Sequence, residues 1–87
     1  MILTRDSAIG FLTGITIAPI TSTIRGIPSE VALTAADGLR SACAANCDDI
    51  QTVSKSKLGA FITHLSQARM RQVRAAIEFA LGFDALA

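Results

Sequence analysis

The sequence predicts an α+β domain in which several short strands precede a single C-terminal helix. Brief apolar, β-branched segments recur between turn-forming residues up to about position 53, and from Met70 to Leu81 the apolar residues take up a helical period. The chain has 87 residues, enough for one domain, and 51% of them are apolar while only 5% are aromatic, with no Trp and no Tyr. The core is therefore expected to be aliphatic. A domain of this size buries only about 60 to 65% of its unfolded surface, so pairing with a second copy or a partner adds useful stability.

Residues 1–4 (Met-Ile-Leu-Thr) read as a strand that starts abruptly, and 5–10 as a polar loop or short turn. A strand reopens at Gly14 and runs to Ile20, carried by the β-branched Ile15, Thr16 and Ile17. Pro19 has no amide hydrogen to donate, which makes that strand an edge or marks a bulge. After a loop over 23–28, the alternating strand 30–33 follows with Val31 and Leu33 on one face, so that 14–20 and 30–33 read as a first hairpin. Ala35-Ala36-Asp37-Gly38 carries a turn signal.

Two further short strands are expected at 42–46 and 49–53, although the Ala-rich start of the first has weak strand propensity and is also compatible with helix. Residues 54–57 form a polar connector. In the mixed stretch 58–65, Phe61 and Leu65 are the expected core anchors. Ser66 is placed to cap a helix whose apolar stripe is Met70, Val73, Ile77, Ala80 and Leu81, with Arg71, Arg74 and Glu78 facing outward. Arg74 and Glu78 are four apart and can pair, and Gly82 suits the stop. Such a helix covers an open end or face of a curled sheet.

The formal net charge of +1 provides no broad field, so attraction for phosphate has to come from local clusters. Cys43 and Cys47 stand four apart in a segment read as extended, which separates their α-carbons by roughly 13 Å, too far for a disulfide. They read as buried, reduced thiols. The lone histidine, His64, leaves neither a metal-ligand cluster nor a Cys/His nucleophile pattern, so no metal or cofactor is expected. The apolar runs fall well short of the roughly 20 residues of a membrane span, and no signal-like opening is present; the expected compartment is the cytoplasm.

The densest group of hydrogen-bonding side chains next to a strand end is Thr21, Ser22, Thr23 and Arg25. Two readings stand side by side. The hydroxyls can satisfy loop backbone groups while Arg25 is merely solvated. Alternatively the group is a phosphate site, since a guanidinium matches phosphate oxygens and a hydroxyl can stabilise a developing oxyanion.

The strand-loop pair "TIAPITSTIRGIPSEV", the segment "DDIQTV" followed by Lys-x-x-Leu-Gly, and the helix "RMRQVRAAIEFALGF" together resemble the MazF/PemK family of toxin endoribonucleases, in particular its mycobacterial-type members. The resemblance extends over essentially the whole chain. It implies residues 1–87 form one MazF-like toxin domain, a small SH3-like (CcdB/MazF-like) partly open β-barrel with a C-terminal helix. It further implies a homodimer neutralised by a MazE-like antitoxin, and metal-independent cleavage of single-stranded RNA at short sequences. In that reaction the 2′-hydroxyl attacks the adjacent phosphorus and leaves a 2′,3′-cyclic phosphate and a free 5′-hydroxyl.

Carried over by position, Thr21 closes the "IAPIT" strand where the family has its catalytic threonine, and Ser22, Thr23 and Arg25 line the variable loop that touches RNA. Asp48 and Gln51 fall on the second motif and shape the groove, with a turn-stabilising carboxylate as the other reading of Asp48. Family members usually open with a further strand, a Gly-rich loop and an Arg-Pro pair, and that opening has no counterpart ahead of Ile2-Leu3. The domain is accordingly expected to be N-terminally short, lacking the family's main cationic acid/base residue and leaving an unpaired sheet edge. Two functional classes stay open: an endoribonuclease toxin, or a non-catalytic antitoxin-binding module or decayed toxin copy.

Overall fold

Small side chains dictate the centre of the fold. In β4 (Cys43–Asn46), Cys43, Ala44 and Ala45 are all buried, and this strand lies between two others. The computed structural model describes residues 1–59 and 63–83. Chain order is α1 (Asp6–Ile9), β1 (Gly14–Ile17), β2 (Ile20–Thr21), β3 (Glu30–Leu33), β4, β5 (Gln51–Ser54) and α2 (Gln67–Ala80), with 3-10 turns at Ala35–Asp37, Cys47–Asp49 and Lys55–Lys57. β1 and β5 form one antiparallel pair, and β2, β4 and β3 form a second sheet in that order. The predicted α+β class holds.

The expected continuous strand 14–20 is divided at Ala18–Pro19, where the chain leaves β5 for β4. Pro19 cannot donate to a ladder, and its carbonyl instead accepts from the Asn46 amide at 2.8 Å. The hairpin expected between the first two strands is replaced by a crossover. Thr21 and Ala32 both stand opposite Ala44, so β2 and β3 run parallel with β4 between them, and the loop from 22 to 29 must span that strand.

Residues 1–4 form a single bridge, Ile2 to Ile17, rather than a full strand. Backbone bonds from Leu3 N to Thr16 O and from Ala18 N to Met1 O, each 2.8 Å, hold it on β1. The ladder stops where the Thr4 hydroxyl, not its backbone, accepts the Thr16 amide. The polar stretch expected as a loop contains the single-turn helix α1. The last expected strand is shifted to begin at Gln51, because Cys47–Asp49 turns as 3-10 helix under an Asn46 side-chain cap.

The core joins Val31 and Leu33 of β3 to Cys43 and Ala45 of β4, paired directly opposite, with Cys47, Val73 and Ala76 closing it from the α2 side. β-Branched and γ-branched side chains on one strand face small ones on the next, which fills the layer without overpacking. Both cysteines are buried, as expected, and burial together with neighbouring Asp48 pushes the Cys47 thiol pKa up. Helix α2 begins as predicted, with Ser66 Oγ accepting from Arg69 N, and the Arg74–Glu78 pair closes at 2.7 Å. Gly82, at φ +78°, ends it.

The helical stripe needs correction at both ends. Val73 and Ala76 are the buried positions, whereas Met70 is 44% and Leu81 58% exposed. The helix packs chiefly on β3 and the 47–49 turn, which cover its middle. Leu65 packs against the core as expected, while Phe61 lies outside the described residues. The N-terminal end of α2 is tied down by Arg69, whose Nε donates to Asp37 Oδ1 at 2.9 Å; that bond holds the Asp37 carboxyl below its usual pKa. Among the described residues no helix is long and apolar enough to cross a membrane.

Candidate nucleic-acid interface

Thr21 is the last residue of β2 and is half-buried, while Ser22 and Thr23 just beyond it are exposed. Its Oγ1 accepts from the Thr23 amide at 3.1 Å, a local turn bond that fixes the hydroxyl against the strand end. A threonine hydroxyl has one hydrogen to give, and accepting that amide leaves the hydrogen for another oxygen. A strand end positioned by pairing with β4 and a hydroxyl with a spare donor suit an anion.

Arg25 is not simply solvated. The Glu30 carboxylate, on a side chain only 2% exposed, accepts from the Arg25 amide at 2.8 Å, the Gly26 amide at 3.1 Å and Arg25 Nε at 3.4 Å. Those bonds, the Arg25 backbone amide first among them, lower the Glu30 pKa. Gly26 sits at φ +68°, where a side chain is disfavoured, and lets the two successive amides converge on one oxygen. The arginine remains half exposed and its described bonds use only Nε, so the guanidinium's terminal nitrogens can still meet a phosphate. Glu30 is the residue that sequence reasoning missed. Its signal was an acid placed just beyond a Gly-x-Pro turn that follows an arginine.

Asp48 accepts a hydrogen bond from the hydroxyl of buried Ser29, and its own amide donates to Asn46 Oδ1 at 3.0 Å. The turn-stabilising role weighed for this carboxylate is thus the one its contacts display. Cys47 N also donates to Ser29 O, at 2.9 Å, so the end of the crossover loop is fastened to the 47–49 turn. Gln51 is exposed on β5 opposite Ile17, in the other sheet. Among the described residues no hydrogen bond joins Thr21 to Asp48 or Gln51. The loop residues 21–25 make one group and Asp48 belongs to its anchorage.

Two small antiparallel sheets linked through one split strand, with a helix packed across the second, place this chain in the CcdB/MazF-like class of toxin folds. Its structure matches that of the Mycobacterium tuberculosis toxin MazF-mt6 with a TM-score of 0.90 at 36% identity, over 94% of this chain and 83% of that one. An endoribonuclease solved in complex with its cognate antitoxin from a mycobacterial species matches with a TM-score of 0.83 at 28% identity, over 94% and 78% of the two chains.

The chain belongs to the family of PemK-like, MazF-like toxins of type II toxin-antitoxin systems, whose model matches residues 1–81. Endoribonuclease MazF3 of Mycobacterium tuberculosis is 37% identical over 84 residues, 97% of this chain and 82% of that relative.

Proposed function

We propose that this chain acts as a sequence-specific, metal-independent endoribonuclease on single-stranded RNA, the toxin of a type II pair working in the cytoplasm. The observation that carries the reading is the half-buried Thr21 hydroxyl at the end of β2, with a hydrogen to donate, in a chain that shares 37% identity with a protein named endoribonuclease. Thr21 holds the scissile phosphate. The RNA's 2′-oxygen bonds to phosphorus, the bond to the 5′-oxygen breaks, and the proton lost by the first oxygen is gained in net by the second. Ser22, Thr23 and Arg25 contact the flanking backbone. A homodimer and a MazE-like antitoxin, in line with a relative solved in complex with its cognate antitoxin, complete the reading.

The test is incubation of the purified chain with mixed single-stranded RNA in EDTA. Cuts are expected to persist without metal and to fall about 100- to 1,000-fold in rate in Thr21→Ala, the usual effect of losing one oxyanion donor. Equal cutting by the variant sinks the assignment of Thr21. A second reading, a non-catalytic module that captures antitoxin, is favoured by one observation: Arg25 and Asp48 both engage partners within the fold. An RNA-inactive chain that still retains an antitoxin peptide in a pull-down selects it.

A further inference from the structure

The turn that follows α1 presents Phe11 to solvent, 89% exposed, with Leu12 beside it at 44%. Exposure on that scale is unusual for an aromatic side chain in a chain with so few of them. The backbone beneath it is nevertheless fixed. Phe11 N donates to Ala8 O at 3.0 Å, and Leu12 N donates to Ile9 O at 3.4 Å. The neighbouring 3-10 turn Lys55–Lys57 clamps the same loop, since Lys55 N donates to Thr13 O at 2.9 Å and Lys55 Nζ to Ile9 O at 2.8 Å. Lys57 is exposed on that turn, and Arg5 is exposed just before α1.

We propose that this end of the β1–β5 pair is a second contact for single-stranded RNA, in which Phe11 stacks on a base and Lys57 meets a phosphate. The proposal rests on the endoribonuclease reading and extends it to residues outside the Thr21 loop. An aromatic face on a rigid turn suits any base, because every base has a π-face, and an adjacent cation suits the backbone that carries it. Charge argues for a polyanion as the occupant: Lys55 reaches onto this loop at Ile9, Lys57 follows it on the same turn and Arg5 directly precedes α1, against the single acid Asp6 beside them in sequence. A second copy docked on the same patch would bring like charges together.

The pairing of Gly14 with Ser54 and Ile17 with Gln51 puts this turn and Thr21 toward opposite ends of the β1 path. At about 3.3 Å per residue the chain from Gly14 to Thr21 extends up to about 23 Å. An RNA touching both must therefore be several nucleotides long.

Because the chain has no Trp and no Tyr, Phe11→Trp introduces a sole indole reporter, and Phe79→Trp, on exposed α2, is its control. Each variant is titrated with a 2′-O-methyl RNA of about ten nucleotides, within the usual size of a single-strand site and unable to be cleaved. Saturable quenching of the indole is expected in Phe11→Trp and not in Phe79→Trp. Phe11→Ala should weaken binding about tenfold, within the range of one lost base stack, with Phe11→Tyr restoring it. Lys57→Ala should flatten the log-log salt slope by about 0.7.

If the unmodified chain binds the RNA while Phe11→Trp is unquenched and Phe11→Ala binds normally, this contact is refuted and the endoribonuclease reading stands. Absence of RNA binding by the unmodified chain overturns both. Indole fluorescence that changes with protein concentration in the absence of RNA assigns the turn to self-association and also overturns the proposal.

Discussion

Arg25→Ala separates charge from loop shape. The variant keeps the two backbone bonds from residues 25 and 26 to Glu30 Oε1, so the loop retains its anchorage and loses only the guanidinium. The side-chain pair it gives up is 3.4 Å long with the arginine half exposed, and pairs of that kind contribute little to stability. Binding should respond differently. One phosphate contact contributes about 0.7 to the slope of log affinity against log salt for a single strand. Between 50 and 200 mM salt, a fourfold change, the advantage of the unmodified chain over Arg25→Ala should shrink by about 2.6-fold, the fourfold ratio raised to that power. Filter binding to several non-cleavable RNAs across the series measures it. A uniform loss with the flatter slope supports phosphate contact, while a loss confined to one sequence assigns Arg25 to a base edge. No change in affinity or slope refutes both roles.

Val73→Ala removes two carbons from a side chain that is 2% exposed, which should cost about 2 kcal/mol and lower the melting temperature by about 8 to 16 °C in a thermal scan. Met70→Ala, at an exposed position, should shift it far less. Asp48→Ala deprives the buried Ser29 hydroxyl of its acceptor and should destabilise by about 1 to 3 kcal/mol; urea unfolding of Ser29→Ala and the double variant should show that the two losses do not add. Acid should weaken the tie between Asp37 and Arg69. The carboxyl's pKa is lowered in the folded state, so the unfolded chain takes up protons first; its contribution is complete above the ordinary carboxylate range of about 4 and lost as pH falls through the lowered folded value. Asp37→Asn should flatten that part of the stability-against-pH curve in urea titrations.

Local interactions were legible in the sequence. The strand Glu30–Leu33, the Ser66 cap, the Arg74–Glu78 pair and the stop at Gly82 all depend on residues within a few positions of one another, where period, capping and turn chemistry act directly. The toxin family, too, was readable from contiguous motifs, and so was the density of hydroxyls at 21–23. What escaped was set by contacts distant in sequence. The strand expected at 42–46 forms as Cys43–Asn46 despite its weak intrinsic preference, but its place as the central strand between β2 and β3, where its small side chains are buried, was not readable from period or propensity. That placement turned the expected hairpin into a crossover and thereby gave the 22–29 loop a span to cover. The grip of Asp48 on Ser29, nineteen positions apart, exists only once that crossover has formed, whereas the grip of Glu30 on residues 25 and 26 is local and went unread for want of a periodic signal. The sequence determined by itself the strand at 30–33, the C-terminal helix and the gathering of hydroxyls with an arginine at 21–25; only the tertiary structure decided how the strands are split and ordered and which polar side chains hold the loop, because a carboxylate or guanidinium acquires its role from the partner that packing brings within hydrogen-bond reach.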